Sequence, residues 1–391
     1  MALTTIHLPL AADEEEVALR EAVAGICSDF GPAYARACFN RGEPMRDLWL
    51  ALGDAGFAGA NIPEEWGGGG LGLRGLAIVA EECAAAGAIS IMLVLSSGMA
   101  GTMLARHGTD HQRDRWLRGI AAGTTKLAFA ITEPDAGTNS HNLRTDLRRD
   151  GDRYLLRGQK TFISGVEDAE GVLVVARVRG EDGALGPPTL CIIDTDAPGF
   201  AREAIPMPYM GPDRQWTLFF DDVAVDADRI VGGESAGLRV IFDALNPERI
   251  IIAAGLNGTA RLALDKAAGY AREREVWGVP VGTHQAVAHP LARSKIELEL
   301  ARLMTDKAAV LFDAGSPDAG SASNMAKYAA AEAATHAIDR AIQTHGGNGF
   351  TIEYGLSDLW WFARLMRTAP VSEQMVLNHV AQHELGLPRS Y

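Results

Sequence analysis

The hydrophobic pattern of this chain changes period twice, and that order of textures restricts the fold more than any single motif does. From Asp13 to about Ala122 the sequence is rich in Ala and Leu at helical spacing, as in "EEEVALREAVAGICSDF" and "LRGLAIVAEECAAAG", broken by the glycine loop "EEWGGGGLG". From about Gly123 to Gly233 it turns to short alternating or β-branched runs separated by turn residues: "KLAFAIT", "RYLLRGQKTFISG", "GVLVVARV", "PTLCIIDT" and "WTLFFDDVAV". From Glu234 onward long helical patterns return, among them "HQAVAHPLARSKIELELARLMTDKAAVLF" and "SASNMAKYAAAEAATHAIDRAIQTHGG". The second ends on the paired glycines that suit the residue after a helix. The expected class is therefore α+β in three parts: a helical domain over 1–122, an antiparallel β domain over 123–233 and a helical domain over 234–391.

With 391 residues, 47% of them hydrophobic, the chain can bury a large core. A net charge of -14 and the lack of any basic run exclude nucleic acid and an anionic membrane surface as expected partners. A phosphate-bearing substrate must then be caught by local groups. Cys27, Cys38, Cys83 and Cys191 have no CxxC or CxxH spacing, which argues against a zinc site and a disulfide framework, so no metal is expected and a reducing compartment is. The start "MALTTIHLPLAADEEEVALRE" lacks a basic region and turns acidic at once, unlike a targeting peptide. The longest apolar run, "AISIMLVLSSGMAGTML", is interrupted by Ser and Gly and falls short of a membrane span. A cytoplasmic protein is expected.

Three short motifs carry candidate chemistry, each with a plain structural alternative. "AITEPDAGTNS" (Ala130 to Ser140) leaves hydroxyls and backbone N–H groups at a strand end, or is an ordinary turn. "GQKTFISG" (Gly158 to Gly165) offers Phe162 for stacking, or is a strand between two glycine turns. "QTHGGNGF" (Gln343 to Phe350) is a helix end whose glycines admit close backbone approach, or simply a helix end. A fourth stretch, "ALNPERIIIAAG", reads alone as a helix start, with Asn246 capping, Pro247 in the first turn and Glu248 placed where the helix dipole favours an anion.

Taken in order, these stretches resemble the acyl-CoA dehydrogenase family. "TEPDAGTN" is similar to its "TEPxAGSD" loop, "GQKTFISG" to its "GxKxWITNG" strand and "QTHGGNGF" to its "QxxGGxGF" helix end. "FAGANIPEEWGGGGLG" and "AREREVWGVPVGTHQAV" resemble two further family segments, so that the match runs from about Asp13 to Gln382. The resemblance implies a helical N-terminal domain, a β-barrel or sandwich in the middle, a C-terminal four-helix bundle, and bound FAD. It places the flavin ring against Phe129, Ile131, Thr132, Phe162, Ile163 and Ser164, with Gly137, Thr138 and Ser372 also on the cofactor. Phe162 stands for the family's Trp and keeps the aromatic face without the indole donor. The remainder of FAD reaches a neighbouring subunit in the family. By this correspondence Arg274, Trp277, His284 and Gln285 serve one end, and Gln343, Gly346 and Gly347 the other. Without the family context, Arg274 would pair with Glu273 or Glu275 and Trp277 would be core.

The implied reaction is α,β-dehydrogenation of an acyl-CoA thioester, which needs a base at the α-carbon, donors to the thioester carbonyl and flavin N5 as hydride acceptor. Most of the family carries the base in a "YEGT" run near the C-terminus. Here "RTAPVSEQ" has Ala369 or Pro370 at that position, and Glu373 aligns with a later residue. A minority, including isovaleryl-CoA and long-chain acyl-CoA dehydrogenases, places the base on the C-terminal domain in a run such as "LDLER". "LNPER" matches it, making Glu248 the base, Arg249 its basic neighbour and Asn246 a substrate contact along with Thr138. In those relatives the helix begins earlier, near Ala236, which turns Pro247 into an internal residue. Aligning "VSE" with the family's "TSE" puts Ala369 rather than Pro370 at the carbonyl-donor position, where Pro could not donate. Asn139 replaces a family Asp, and Trp360, Trp361 and Phe362 read as core or interface. Family precedent further implies a homotetramer, as a dimer of dimers, and an electron-transfer flavoprotein as electron acceptor. Two readings stay open beside the dehydrogenase: another flavoenzyme of the superfamily, such as an oxidase or monooxygenase, and a non-catalytic partner subunit.

Overall fold

The computed structural model describes residues 11–207, 213–234 and 237–389. The first ten residues of the opening stretch read for targeting signals, and Ala236, near which the helix start is expected, lie outside these residues.

The first part is helical: α1 (Glu14–Cys27), α2 (Pro32–Arg41), α3 (Arg46–Asp54), α4 (Gly72–Ala85), then a π-helical segment Leu93–Gly101 running into α5 (Thr102–His107), and the short α6 (Asp110–Gln112) and α7 (Arg118–Ala121). Asp13 caps α1 by accepting from Glu16 N, and Thr109 with Gln112 forms a capping box on α6, so both starts follow from sequence. The run "LVLSSGMAG" is buried throughout. It is core, and no helix among the described residues is long and apolar enough to cross a membrane.

The middle part holds β1 (Leu127–Ala130), β2 (Asp146–Asp150), β3 (Arg153–Ser164), β4 (Gly171–Arg179), β5 (Leu185–Asp194), β6 (Phe200–Ile205), β7 (Gln215–Asp226) and β8 (Ile230–Val231). They form one sheet in the order β6-β7-β3-β2-β4-β5-β8, with β1 also on β4. This corrects the expectation of a purely antiparallel unit, because β1 and β2 both pair parallel to β4. Leu127–Ala130 face Gly171–Val174, and Asp146–Arg148 face Arg177–Arg179, so the two strands occupy successive stretches of one edge. Between them the chain leaves the sheet as the loop that carries "ITEPDAGTNS". A single strand line interrupted by a functional loop gives no alternation by which sequence could show its direction.

The last part is dominated by α8 (Gly237–Glu273), α9 (Gln285–Asp313) and α10 (Ala319–His345), followed by α11 (Leu356–Met366) and α12 (Glu373–His379). The three long helices pack together, with α11 against α10, and α4 packs against α8 from the first part. Between α8 and α9 lies a small hairpin, β9 (Glu275–Val276) with β10 (Val279–Pro280). Pro247 sits inside α8, which removes the helix-start reading of "ALNPER". Its missing N–H leaves the Asp243 carbonyl without a helical donor beside the cleft described below.

Candidate active site

The β sheet and the helical bundle enclose a cavity of ≈ 1120 Å³. That exceeds the roughly 300–1,000 Å³ of single-ligand pockets and suits two ligands side by side. One wall comes from the β domain: Phe129 at the end of β1, then Ile131 and Thr132, Gly137 and Thr138 on the loop, and Phe162, Ile163 and Ser164 at the end of β3. Phe162 has a positive φ of 56° and is 58% exposed, so its ring is held out of the core for want of a protein partner. Ser164 accepts from Gln215 Nε2 at 2.7 Å, which orients its hydroxyl.

The loop is fixed by a group that sequence reading passed over. Lys160, wholly buried on β3, donates to Ile131 O at 2.8 Å and to Glu133 Oε1 at 2.9 Å. Glu133 also accepts from Arg144 N at 2.7 Å and Thr145 N at 2.9 Å, closing the base of the loop. Burial pulls the Lys160 ammonium down to about 8, against the pull of Glu133. The "K" of "GQKTFISG" and the "E" of "ITEP" are thus one buried ion pair that presents the cofactor wall.

The opposite wall is α8. Leu245, Asn246, Arg249 and Ile252 recur at helical spacing along the cavity, with Glu248 among them. Burial pushes the Glu248 carboxyl up to about 7, while the charges of Arg249 and Lys327 pull it down. No side chain among the described residues hydrogen-bonds to Glu248. Arg249 instead donates to Asn246 Oδ1 at 3.1 Å, and its Nε is buried without a partner. Lys327 on α10, 1% exposed, donates from Nζ to Val371 O at 2.6 Å and ties the loop after α11 to α10.

That loop corrects one expectation. Ala369 lines the cavity, but its N–H is already given to Leu365 O at 3.0 Å. It closes the last turn of α11 and is not free for a thioester carbonyl. Pro370 has no N–H to offer in its place. Ser372, also in the cavity wall, caps α12 by accepting from Met375 N. Glu373 is held by Arg367 at 2.8 Å, away from any role as base. Phe362, read from sequence as core or interface, is buried yet faces the cavity.

The remaining cofactor candidates, Arg274, Trp277, His284, Gln285, Gln343, Gly346 and Gly347, lie outside this cavity. They gather at one end of the bundle, where Tyr270 of α8 stacks on His345 of α10 at 4.3 Å and accepts from Asn348. The two sets thus lie near the same end of the bundle. Trp277 is 89% exposed with φ 52°, which excludes a core role. Arg274 forms no ion pair among the described residues, and His284 Nε2 is buried without a partner. A Cβ on Gly346 or Gly347 would meet nothing within 4 Å. An exposed indole, an unpaired guanidinium and bare glycines leave room and donors for an adenosine diphosphate.

A ring-sized wall of aromatic and hydroxyl groups facing a half-buried carboxyl fits a flavin-dependent oxidoreductase that moves a proton and a hydride. Comparison with known proteins narrows this. The N-terminal, middle and C-terminal domain profiles of acyl-CoA dehydrogenase match residues 13–124, 128–223 and 235–385. Over 381 residues the chain is 50% identical to the acyl-CoA dehydrogenase FadE12 of Mycobacterium tuberculosis, covering 97% of this chain and 98% of that one. The structure of butyryl-CoA dehydrogenase from Megasphaera elsdenii superposes with a TM-score of 0.91 at 25% identity, over 96% of this chain and 100% of the other. The FAD complex of PigA superposes at 0.90 with 25% identity, over 97% and 99% of the two chains. The chain belongs to the acyl-CoA dehydrogenase family, and FAD is its cofactor.

Proposed function

We propose that Glu248 is the base of this acyl-CoA dehydrogenase, removing the α-proton of a thioester held between α8 and the flavin wall. One observation carries the assignment. Of the carboxyl groups in the cavity, Glu248 alone stands on the helical wall free of an ion pair, since Asp243 is held by Arg106 at 3.1 Å and His107 at 2.7 Å and Asp213 belongs to the β side. A carboxyl titrating near neutrality both accepts the proton and releases it afterwards. The bound FAD supplies the hydride acceptor for the β-carbon. The chain's own residues do the rest. Arg249 and Lys327 keep Glu248 ionisable despite its burial, Asn246 and Thr138 meet the thioester arm, and Phe162 covers the ring. The α-proton passes to a Glu248 oxygen as the Cα–H bond breaks, the β-hydrogen departs with the electron pair of its C–H bond, the Cα–H pair becomes the new double bond, and a trans-2-enoyl-CoA remains.

The exposed patch of Trp277, Phe350 and Ile352 (89%, 72% and 70% exposed) sits at the end of the bundle with the adenosine-side candidates, so the FAD site is completed by a second copy of the chain. Ile296, Leu300 and Leu303 form an apolar stripe on α9, 62%, 62% and 43% exposed, which fits the helix-to-helix contact of a homotetramer. Electron-transfer flavoprotein as acceptor and a cytoplasmic location complete the proposal. The test is anaerobic addition of an acyl-CoA panel to the purified yellow protein. Bleaching of the flavin by at least one thioester is expected. Bleaching by none would return the chain to another flavoenzyme chemistry, and a colourless protein to a non-catalytic subunit.

A further inference from the structure

Asp213 stands two residues before β7, and its carboxyl lines the same cavity as Glu248. Unlike Asp243 it forms no ion pair among the described residues, and the charge of Lys126 acts on it only as a minor influence. No side chain among the described residues donates to it, and the nearby backbone N–H of Ile91 favours its ionised form. It is half-buried, and desolvation together with the charge of Glu167 pushes it up to about 7. A carboxyl left in this state inside an apolar chamber is a polar group awaiting a partner.

The path of α8 shows where it sits along the substrate. Phe242, 48% exposed, and Asn246 line the cavity on the side of the Gly315–Pro317 loop, which is the outer end. Ile252, one turn beyond Glu248, lines the inner end with Ile89, Ile91 and Phe362. There the cavity adjoins an apolar pocket of ≈ 20 Å³ walled by those same residues and Gly255. The Gly165 N–H reaches the Arg214 carbonyl at 3.4 Å and a Cβ on Gly165 would meet Ile91 Cγ2 at 3.9 Å, so the neighbouring Asp213 belongs to the inner end, past the base. On the reading of Glu248 as base, on which this inference rests, the thioester lies beside Glu248 and the inner end receives the far part of the acyl chain.

A plain alkyl chain there would displace water from Asp213 and leave its oxygens unmatched, whereas a hydroxyl donates to the carboxylate or accepts from the protonated acid. We propose that Asp213 makes the enzyme select acyl-CoAs whose acyl chain carries a hydroxyl group remote from the thioester, over alkyl chains of equal length.

The experiment compares kcat/KM for paired alkyl and hydroxylated acyl-CoAs, the hydroxyl set at and next to the chain end, across a range of chain lengths. It uses the FAD-loaded wild type, Asp213→Leu and Asp213→Asn. At the best-fitting length the wild type should favour the hydroxylated member by about tenfold or more. Asp213→Leu should reverse the preference, and Asp213→Asn, which keeps a donor and an acceptor, should retain most of it. Equal or better use of alkyl chains by the wild type at every length overturns the proposal even if Asp213→Leu does not fold, and so does an unchanged preference in a folded Asp213→Leu. If alkyl chains alone bleach the flavin, the dehydrogenase reading stands and only the role of Asp213 falls; if no thioester bleaches it, both fall.

Discussion

Replacing Glu248 by Gln tests the base through two independent readouts whose signs follow from one fact. Burial lifts the Glu248 carboxyl from 4.5 to about 7, so its ionised form is disfavoured in the folded protein by roughly 3 kcal/mol. A raised folded value means that the stability linked to this group is fully present below about pH 4.5 and declines as pH rises through about 7. Gln keeps the shape and cannot ionise. Glu248→Gln should therefore match the wild type in stability near pH 5 and exceed it by on the order of 2–3 kcal/mol at about pH 8.5, allowing for the partial access of water to the carboxylate. Thermal unfolding with FAD saturating at both pH values reads this as a Tm gain that appears only on the alkaline side. In the same variant kcat/KM should fall by about 10²–10⁴-fold. The wild type should show an activity limb rising through about pH 7, with about a tenth of full activity at pH 6, and the residual rate of the variant should lack it. A Glu248→Gln enzyme that keeps more than a tenth of wild-type turnover, or that keeps the limb, refutes the assignment. Turnover lost together with the flavin would show that Glu248 builds the cofactor site instead.

Lys160→Met strands Glu133 as an unpaired buried carboxylate and should cost about 3–5 kcal/mol of stability, measured by denaturant unfolding, with flavin loosened as the loop loses its anchor. Lys327→Met removes a cation from the Glu248 surroundings, so the activity limb should move to higher pH and neutral turnover should drop; an unmoved limb would confine Lys327 to holding Val371. Trp277→Ala, at an exposed position, should leave unfolding almost unchanged while lowering FAD retention on a desalting column. Leu300→Glu on the exposed stripe of α9 should shift the assembly to smaller species in sedimentation velocity.

Much of the cofactor wall was readable from sequence because it is local. Phe162, Ile163 and Ser164 are consecutive, and Thr132, Gly137 and Thr138 share one loop, so a short motif contains both the residues and their spacing. The groups that went unread owe their position to distant partners. Lys160 meets Glu133 across 27 residues, and Lys327 meets Val371 across 44. A buried lysine in a strand or in an alanine-rich helix looks, in sequence, like any solvated one. Phe362 is core, as the run "LWWF" suggests, and only the packing of α11 shows that this ring also faces the cavity.

On the proposed assignment of Glu248 as base, Ala369 and Glu248 together explain how the activity outlasts the loss of its usual base. The last turn of α11 consumes the Ala369 N–H, and Pro370 supplies none, so this loop offers the substrate neither a carboxylate nor a donor from these two residues. It keeps one link to the chemistry, the Val371 carbonyl held by Lys327, whose charge also acts on Glu248. A base moved to α8 still meets the same α-proton, because catalysis needs proximity and a carboxyl that ionises near working pH. Both come from burial opposite the flavin wall, moderated by Arg249 and Lys327. The helix supplies a second benefit. Glu248 lies within a 37-residue element packed against α4, α9 and α10, where a rigid backbone fixes the carboxyl better than a terminal loop would.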